Sequence, residues 1–179
     1  MAALRVPVTP HDHAKGPAHA PVTLVEYGDY ECPHCGLAHP EVKLVQQHFA
    51  PRLRFVFRHF PMSQVHPNAE SAAQTAEFAG AHGKFWDMHD GIYENQDRLG
   101  VPLFFALAGL FGLSESALRE ALINGTYASK IRADFLGGVR SGVNGTPTFF
   151  VNGVRHDGTY AFDDLGAAIA LELRAYATL

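Results

Sequence analysis

The sequence centres on the stretch Val22-Thr23-Leu24-Val25-Glu26-Tyr27-Gly28-Asp29-Tyr30-Glu31-Cys32-Pro33-His34-Cys35, which holds both cysteines of the chain. Its first part, residues 22–27, is rich in β-branched and apolar side chains and predicts a buried strand. The residues that follow predict a helix from Pro33 to about Phe49, because apolar side chains recur there at helical spacing. Two cysteines separated by two residues at a strand-to-helix junction are typical of a redox-active dithiol.

The start of the helix explains why this spacing suits thiol chemistry. A sulfur at the first turn, where we expect Cys32, lies near unpaired backbone N–H groups and the positive end of the helix dipole, and both favour the thiolate. Cys35 lies one turn further along the same side, where its thiol can resolve a mixed disulfide formed on Cys32. Pro33 suits the first turn because it has no N–H, and His34 is expected to stabilise the thiolate further. Such stabilisation favours the reduced dithiol and makes the disulfide more oxidising.

Two other interpretations of the cysteine pair are weaker. A structural disulfide usually joins distant segments, whereas Cys32 and Cys35 would close a loop too small to stabilise the fold much. A zinc site needs about four ligands, and the pair supplies only part of that set. We therefore expect neither a bound metal nor another cofactor at this site.

Glu26 is a lone acidic residue inside the predicted buried strand. An acid in such a position destabilises the fold unless it has a partner or a role. It precedes Cys32 closely enough to lie beneath the active site, where a raised pKa would let it exchange protons with Cys35. The alternative is that residues 22–27 form an edge strand with Glu26 facing water.

Composition and charge narrow the class of protein. The chain has 179 residues and a formal net charge of −4. This charge offers no basis for binding nucleic acid, because phosphates require clustered Lys and Arg. The longest apolar run, Val101–Leu113, is too short to cross a bilayer. No apolar leader follows Met1, so we expect a cytoplasmic protein, or a periplasmic or otherwise extracytoplasmic one whose leader has been removed.

The remaining sequence predicts an α/β domain that is interrupted by helices. Leu53–Phe57 has the pattern of a second strand, and strand, helix and strand over this length predict a parallel, right-handed unit. Residues 63–142 have helical periodicity throughout and predict an all-helical insertion. The α/β domain then comprises residues 1–62, of which residues 1–20 form a solvated or edge-lying lead-in, together with residues 143–179.

A predicted strand at Thr146–Val151, with Pro147 near its start, completes a pattern that resembles the DsbA-like branch of the thioredoxin fold. The resemblance extends from about His11 to Leu179. Its most specific parts are three segments, Val22–Cys35, Phe55–Pro61 and Gly145–Gly153. It implies an α/β, thioredoxin-like fold with an all-helical insertion. The tetrapeptide Cys-Pro-His-Cys is the same as in DsbA itself, which implies an oxidising dithiol.

The resemblance also implies roles for residues outside the cysteine motif. It implies that Thr146–Pro147 is a cis peptide packed against the disulfide, with Thr146 offering backbone groups to an extended substrate segment. Glu26 matches the buried acid of the thioredoxin-fold strand. The implied substrates are protein or peptide thiols and disulfides, and the implied partner in recycling is a redox protein or glutathione.

Three functions remain open at this point. The first is a thiol-disulfide oxidoreductase that oxidises its substrates, with Cys32 as nucleophile and Cys35 as resolving thiol. The second is a cytoplasmic disulfide reductase recycled by a thioredoxin or glutathione system. The third is a peptide-binding chaperone module in which the cysteine pair is regulatory. Two departures from the family bear on the direction of electron flow: no signal sequence is visible, and the second cysteine pair of many relatives is missing.

Overall fold

A mixed five-stranded sheet forms the centre of the computed structural model, which describes residues 3–178. The strand order is β1-β3-β2-β4-β5. The strands are β1 (His13–Lys15), β2 (Val22–Gly28), β3 (Leu53–His59), β4 (Thr148–Val151) and β5 (Val154–Arg155). β2 and β3 pair in parallel, as the strand-helix-strand pattern predicts, and the other neighbouring strands pair antiparallel.

Seven helices surround this sheet, and five of them lie between β3 and β4. They are α1 (Pro33–Phe49), α2 (Ala69–Gly80), α3 (Phe85–Tyr93), α4 (Val101–Leu110), α5 (Glu115–Asn124), α6 (Ala128–Arg140) and α7 (Phe162–Tyr176). A 3₁₀ turn at Gln96–Arg98 separates α3 from α4. Helices α2 to α6 form the helical insertion that the sequence predicts. Within residues 3–178, none of the helices is both long and apolar enough to cross a bilayer.

Helix α1 follows directly from the cysteine motif. Cys32 is its N-cap residue, with an extended backbone, and Pro33 is its first helical residue. Proline is favoured there because its fixed φ suits the helix and no intrahelical partner awaits its missing N–H. The helix buries one stripe of side chains, namely Cys35, Ala38, His39, Val42, Val45 and Phe49. It therefore packs against the sheet with Cys35 on its buried face.

β2 is a central strand, buried on both of its faces. Val25 and Tyr27 point to one side, into a small cluster with residues of β3, β4 and α6. Leu24 points to the other side, into the larger core that α1 and the insertion complete. Glu26 is only 3% exposed and has β3 and β4 as neighbours on either side. The alternative of an edge strand with Glu26 facing water is therefore wrong.

The lead-in lies along the outer edge of the sheet. Its strand β1 pairs with the middle of β3, where His13 stands opposite Phe57. The buried Arg58 guanidinium holds the preceding residues: its Nε donates to Asp12 Oδ1 at 2.7 Å, and its terminal nitrogens donate to the carbonyls of Val6 and Pro7, each at 2.9 Å. Of the two predicted arrangements, solvated or edge-lying, the structure therefore has the edge-lying one.

Candidate active site around Cys32 and Cys35

The two cysteines differ in their access to solvent. Both are free thiols, and Cys32 retains 6% of its surface whereas Cys35 is fully buried. The Cys32 carbonyl accepts the Gly36 N–H at 3.1 Å, which is the first hydrogen bond of α1. The Cys35 sulfur accepts the backbone N–H of Asp29 at 3.5 Å. Only Cys32 is therefore open to attack by a substrate sulfur.

Hydrogen bonds at the start of α1 favour the thiolate of Cys32. They come first from the Cys35 side chain, and then from the backbone N–H groups of Cys35 and His34. Burial opposes them, and the balance lowers the pKa of Cys32 to about 5. Most of Cys32 is therefore present as the thiolate at neutral pH. The thiolate is the form that attacks disulfides and other electrophiles.

At Cys35 burial is the dominant influence. It raises the pKa of that thiol well above its usual value, and the hydrogen bond to Cys32 and the charge of Glu26 act in the same direction. At neutral pH the pair therefore holds one negative charge, on Cys32, and one proton, on Cys35. A nucleophile that reaches the surface and a fully buried thiol one turn away are the elements that disulfide exchange through a mixed disulfide requires.

Glu26 occupies the strand beneath the cysteine pair. Its neighbours in the sheet are Phe57 on β3 and Phe149 on β4. Burial among such apolar groups raises the pKa of Glu26 to about 8. The carboxyl is therefore mainly protonated at neutral pH, and its charge is close enough to Cys35 to influence the pKa of that thiol. Such a group can give or take a proton at Cys35.

The segment before β4 brings backbone groups to Cys32. The Cys32 thiol donates to the carbonyl oxygen of Thr146 at 3.3 Å, and the Thr146–Pro147 peptide bond is cis. The sequence predicted a strand from Thr146, but β4 begins at Thr148. Thr146 and Pro147 therefore lie directly before the strand. The Thr146 hydroxyl donates to Met62 Sδ at 3.8 Å. Thr146 therefore connects the cysteine site to the segment after β3.

An apolar groove begins at Met62. It has a volume of about 600 Å³ and lies between the segment after β3 and helix α6. Its lining includes Phe60, Met62, Val65, Ile131 and Phe135. Val65 is 64% exposed, so part of this apolar surface faces solvent. The groove can accept an apolar side chain of a segment that lies across Thr146.

The ring of His34 is exposed to solvent and contacts Tyr160. Its ring Nδ1 is hydrogen-bonded to the hydroxyl of Tyr160, between β5 and α7, at 3.3 Å. Residue 34 lowers the pKa of Cys32 through its backbone N–H. Pro33 lies beside it at the first turn, exposed to solvent. The structure thus brings Cys32, Cys35, Thr146 and the His34 backbone together, while the His34 ring lies at the rim.

Asp29 was not recognised as a site residue from the sequence. Its buried carboxylate accepts the backbone N–H groups of Glu31 and Met62, each at 2.8 Å, and is hydrogen-bonded to His66 Nδ1 at 2.7 Å. The bond to Glu31 is an Asx-type turn, for which an aspartate two residues earlier is the usual sequence signal. The contacts to Met62 and His66 have no such local signal.

Two further side-chain contacts join the loop before Cys32 to the insertion. The carboxylate of Glu31 accepts the side-chain N–H of Asn68 at 2.9 Å. Gln96 Nε2 donates to the carbonyl oxygens of Tyr30 and Cys32, both at 2.8 Å. The sequence offered no signal for either, because both partners come from the insertion and lie far from the loop along the chain.

Two clusters in residues 3–178 have the side-chain types that bind metals. They are His13, His59 and Glu77, and His39, His89 and Asp90. In the first, both histidine Nε2 atoms are 2.8 Å from the same Glu77 oxygen, which is a hydrogen-bond distance and shorter than the separation of two ligands around one zinc ion. In the second, the ammonium group of Lys43 is 3.2 Å from Asp90 Oδ2 and opposes a second cation. Neither cluster includes a cysteine.

The chain is similar to known proteins of the thioredoxin fold over most of its length. The thioredoxin family model Thioredoxin_4 matches residues 8–170. BdbD from Bacillus subtilis superposes with a TM-score of 0.87 and 26% identity, over 97% of this chain and 98% of BdbD. Alpha-DsbA1 from Wolbachia pipientis superposes with a TM-score of 0.84 and 21% identity, over 98% of this chain and 96% of alpha-DsbA1. A thioredoxin-like oxidoreductase from Silicibacter pomeroyi superposes with a TM-score of 0.79 and 25% identity, over 93% of this chain and 94% of the oxidoreductase.

These likenesses confirm the DsbA-like fold with a helical insertion. The chain is also similar in sequence to one part of much longer proteins. The Na(+)/H(+) antiporter NhaA 1 of Salinispora arenicola is 46% identical over 167 residues, which are 93% of this chain and 26% of the antiporter. NhaA 3 of Salinispora tropica is 44% identical over the same fractions. The chain thus spans about a quarter of the length of these curated relatives.

Proposed function

Since the chain belongs to the thioredoxin family, we propose that Cys32 and Cys35 exchange a dithiol and a disulfide with protein substrates, and that the oxidised pair accepts electrons from substrate thiols. The reaction class is dithiol-disulfide exchange.

The proposed oxidation proceeds in two exchanges. A substrate thiolate attacks the Cys32 sulfur, the bond between Cys32 and Cys35 breaks, and Cys35 leaves as a thiolate. Cys35 then takes a proton, for which the protonated carboxyl of Glu26 is the proposed donor. A second substrate thiolate attacks the substrate sulfur of the mixed disulfide and releases Cys32 as a thiolate. The substrate dithiol loses two electrons and becomes a disulfide, and the protein gains them.

The observation that carries the oxidising direction is the pKa of Cys32, about 5. This value lies roughly two units below neutral pH, and at about 1.36 kcal/mol per unit it favours the reduced form by at most ~3 kcal/mol. The corresponding rise in reduction potential is on the order of 60 mV for a two-electron couple. Water at the mouth of the site screens the charge, which makes these figures upper limits.

Substrate binding is proposed to use Thr146 and Pro147 together with the groove at Met62. The backbone of Thr146 is within hydrogen-bond distance of Cys32, so a segment paired with it would hold a substrate sulfur near the nucleophile. The groove would take an apolar side chain of the same segment. The proposed substrates are therefore extended or unfolded protein segments that contain cysteine. A redox protein or glutathione is the proposed partner that recycles the pair.

The expected cytoplasmic location has no support from the comparisons. The start of this sequence is no guide to compartment, because the chain spans only about a quarter of its curated relatives. We propose an extracytoplasmic location instead, since disulfides form and persist in oxidising compartments. The antiporter name of these relatives describes much longer proteins, and it is not extended to this chain.

The first test is the redox equilibrium of the cysteine pair with glutathione. The protein is equilibrated in buffers of defined potential, and the oxidation state of Cys32 and Cys35 is measured by an alkylation gel shift. We expect a midpoint well above about −200 mV, in the range of oxidants. A midpoint near about −270 mV, where thioredoxin lies, would instead identify a reductase.

A second test separates catalysis from a regulatory role of the pair. Oxidation of a reduced peptide dithiol should cease in Cys32→Ser. Cys35→Ser, given the same peptide in its disulfide form, should instead form a mixed disulfide on Cys32 that mass spectrometry detects, because no second thiol of the protein resolves it. Turnover retained by Cys32→Ser would contradict the proposal. If prevention of aggregation by the wild-type chain also persisted after loss of both cysteines, the chaperone alternative would be preferred.

A further inference from the structure

Gln96 links the helical insertion to the loop that carries Cys32. It lies at the start of the 3₁₀ turn between α3 and α4. Its Nε2 donates to the carbonyl oxygens of Tyr30 and Cys32, both at 2.8 Å. A side-chain amide has two N–H groups, so both are used in holding this loop.

The bond to Cys32 acts on the residue whose side chain is the proposed nucleophile. The Cys32 carbonyl also accepts the N–H of Gly36, so its peptide group is fixed between Gln96 and the first turn of α1. The N–H groups of His34 and Cys35, which stabilise the Cys32 thiolate, belong to the same turn. The distance from the sulfur to these donors therefore depends on where Gln96 holds the Cys32 backbone.

The side chain of Gln96 packs closely against Gly36 in the first part of α1. A Cβ atom at Gly36 would clash with Gln96 Oε1 and lie 2.8 Å from Gln96 Cδ. Gly36 is inside α1, where glycine is among the least favourable residues, and its φ is not in the left-handed region. A Cβ atom at position 36 would therefore displace the end of the Gln96 side chain.

We propose that Gln96 is a positioning residue for the redox reaction: its amide holds the Cys32 backbone so that the N–H groups of His34 and Cys35 meet the sulfur. This inference rests on the proposed function of the cysteine pair. It assigns to the insertion a direct part in setting the reactivity of Cys32. Gln96 touches neither the sulfur nor a substrate, and it acts through the backbone of Cys32.

The test compares Gln96→Met with Gln47→Met. Methionine has similar length and no N–H, and Gln47 is an exposed residue of α1 that serves as the matched control. The thiolate of Cys32 is titrated by its ultraviolet absorbance, and the redox equilibrium with glutathione is measured on the same samples. For Gln96→Met we expect the pKa of Cys32 to rise by about one unit, which shifts the equilibrium about tenfold towards the disulfide. This corresponds to a midpoint about 30 mV lower.

A second pair of variants tests the contact from the other side. Gly36→Ala should displace the Gln96 side chain and shift the pKa and the equilibrium in the same direction. Gly166→Ala is the matched control, because it also lies inside a helix but has only ordinary contacts with Phe49 at 3.6 Å. In the double variant Gly36→Ala/Gln96→Met, the shift should not exceed that of Gln96→Met alone.

The outcomes separate positioning from general stabilisation. If Gln96→Met lowers the melting temperature but leaves the pKa of Cys32 and the glutathione equilibrium unchanged, Gln96 is only structural and the inference is wrong. If the wild-type pair does not equilibrate with glutathione at all, the proposed function fails. The thiolate titration would still decide the role of Gln96 in that case, because it requires no turnover.

Discussion

The side chain of Cys35 supports the thiolate of Cys32, and the same hydrogen bond keeps Cys35 protonated. This hydrogen bond is the largest of the causes that lower the pKa of Cys32. Together with burial, it also raises the pKa of Cys35. The two thiols are one helical turn apart and thus have opposite ionisation at neutral pH. The roles proposed for them in exchange rest on this difference.

Alkylation of the reduced protein should report this difference directly. Iodoacetamide should modify Cys32 with a rate that is half-maximal near pH 5 and levels off by about pH 7, because the thiolate is the reactive form. Cys35 should remain unmodified over this range. In Cys35→Ala, which lacks the donor, the midpoint should move upward by about one unit or more. Cys35→Ser keeps a donor and should shift less; equal shifts in both variants would contradict the assignment.

Glu26 should make the folded protein less stable as the pH rises. Its pKa is about 8 in the fold against 4.5 as the reference value, so between these values the folded state binds more protons than the unfolded state. The free energy of unfolding therefore decreases from about pH 4.5 to pH 8, by on the order of 3–5 kcal/mol from this group. Urea denaturation at several pH values measures the slope.

Glu26→Gln should remove that part of the pH dependence, because an amide does not titrate. The exposed Glu120→Gln serves as the control and should keep the wild-type slope. In the redox assay, Glu26→Gln should slow the exchange steps at Cys35 about tenfold or more, since the proposed proton donor is lost. A wild-type rate in Glu26→Gln would show that Cys35 exchanges its proton by another route.

The ring of His34 should contribute little to the pKa of Cys32. It is hydrogen-bonded to Tyr160 at 3.3 Å, whereas the backbone N–H of residue 34 supports the sulfur. His34→Ala keeps that N–H, so we expect the pKa of Cys32 to remain within about one unit of the wild-type value. Tyr160→Phe should likewise leave it unchanged. A rise of two units or more in His34→Ala would support the sequence-based expectation that the imidazole stabilises the thiolate.

The buried pair of Asp12 and Arg58 should be the strongest single anchor of the lead-in. Both side chains are at most 6% exposed. Asp12→Ala leaves a buried guanidinium without its counter-charge, so we expect a loss of about 3–5 kcal/mol in the free energy of unfolding. The pair of Arg155 with the exposed Asp157 is the control, and Asp157→Ala should have little effect. Equal losses in the two variants would contradict this account.

Local sequence patterns predicted much of the fold. The bounds of α1, the parallel pairing of β2 with β3 and the helical insertion follow from apolar periodicity, cysteine spacing and the proline at the helix start. The burial of Glu26 was predicted from a single acid in an apolar run. These features depend on residues that are neighbours along the chain, which is why the sequence alone carries them.

The contacts that complete the site could not be predicted in this way. Gln96 and Asn68 meet the loop before Cys32 only after the insertion folds back on the sheet. The rotation of the His34 ring towards Tyr160 depends equally on a distant segment. Periodicity describes which face of an element is buried, but it does not specify which polar side chain of another element will meet a given carbonyl.

The position of β1 also affects how copies of this protein meet one another. The outer edge of β3 is a row of backbone donors and acceptors beside apolar residues, and an uncovered edge of this kind can pair with a strand of a second molecule. The residues His13–Lys15 cover the middle of that edge, and β5 leaves only a two-residue strand at the opposite side. Protection from edge-to-edge aggregation therefore rests on a short strand, which Arg58 keeps in place from inside the fold.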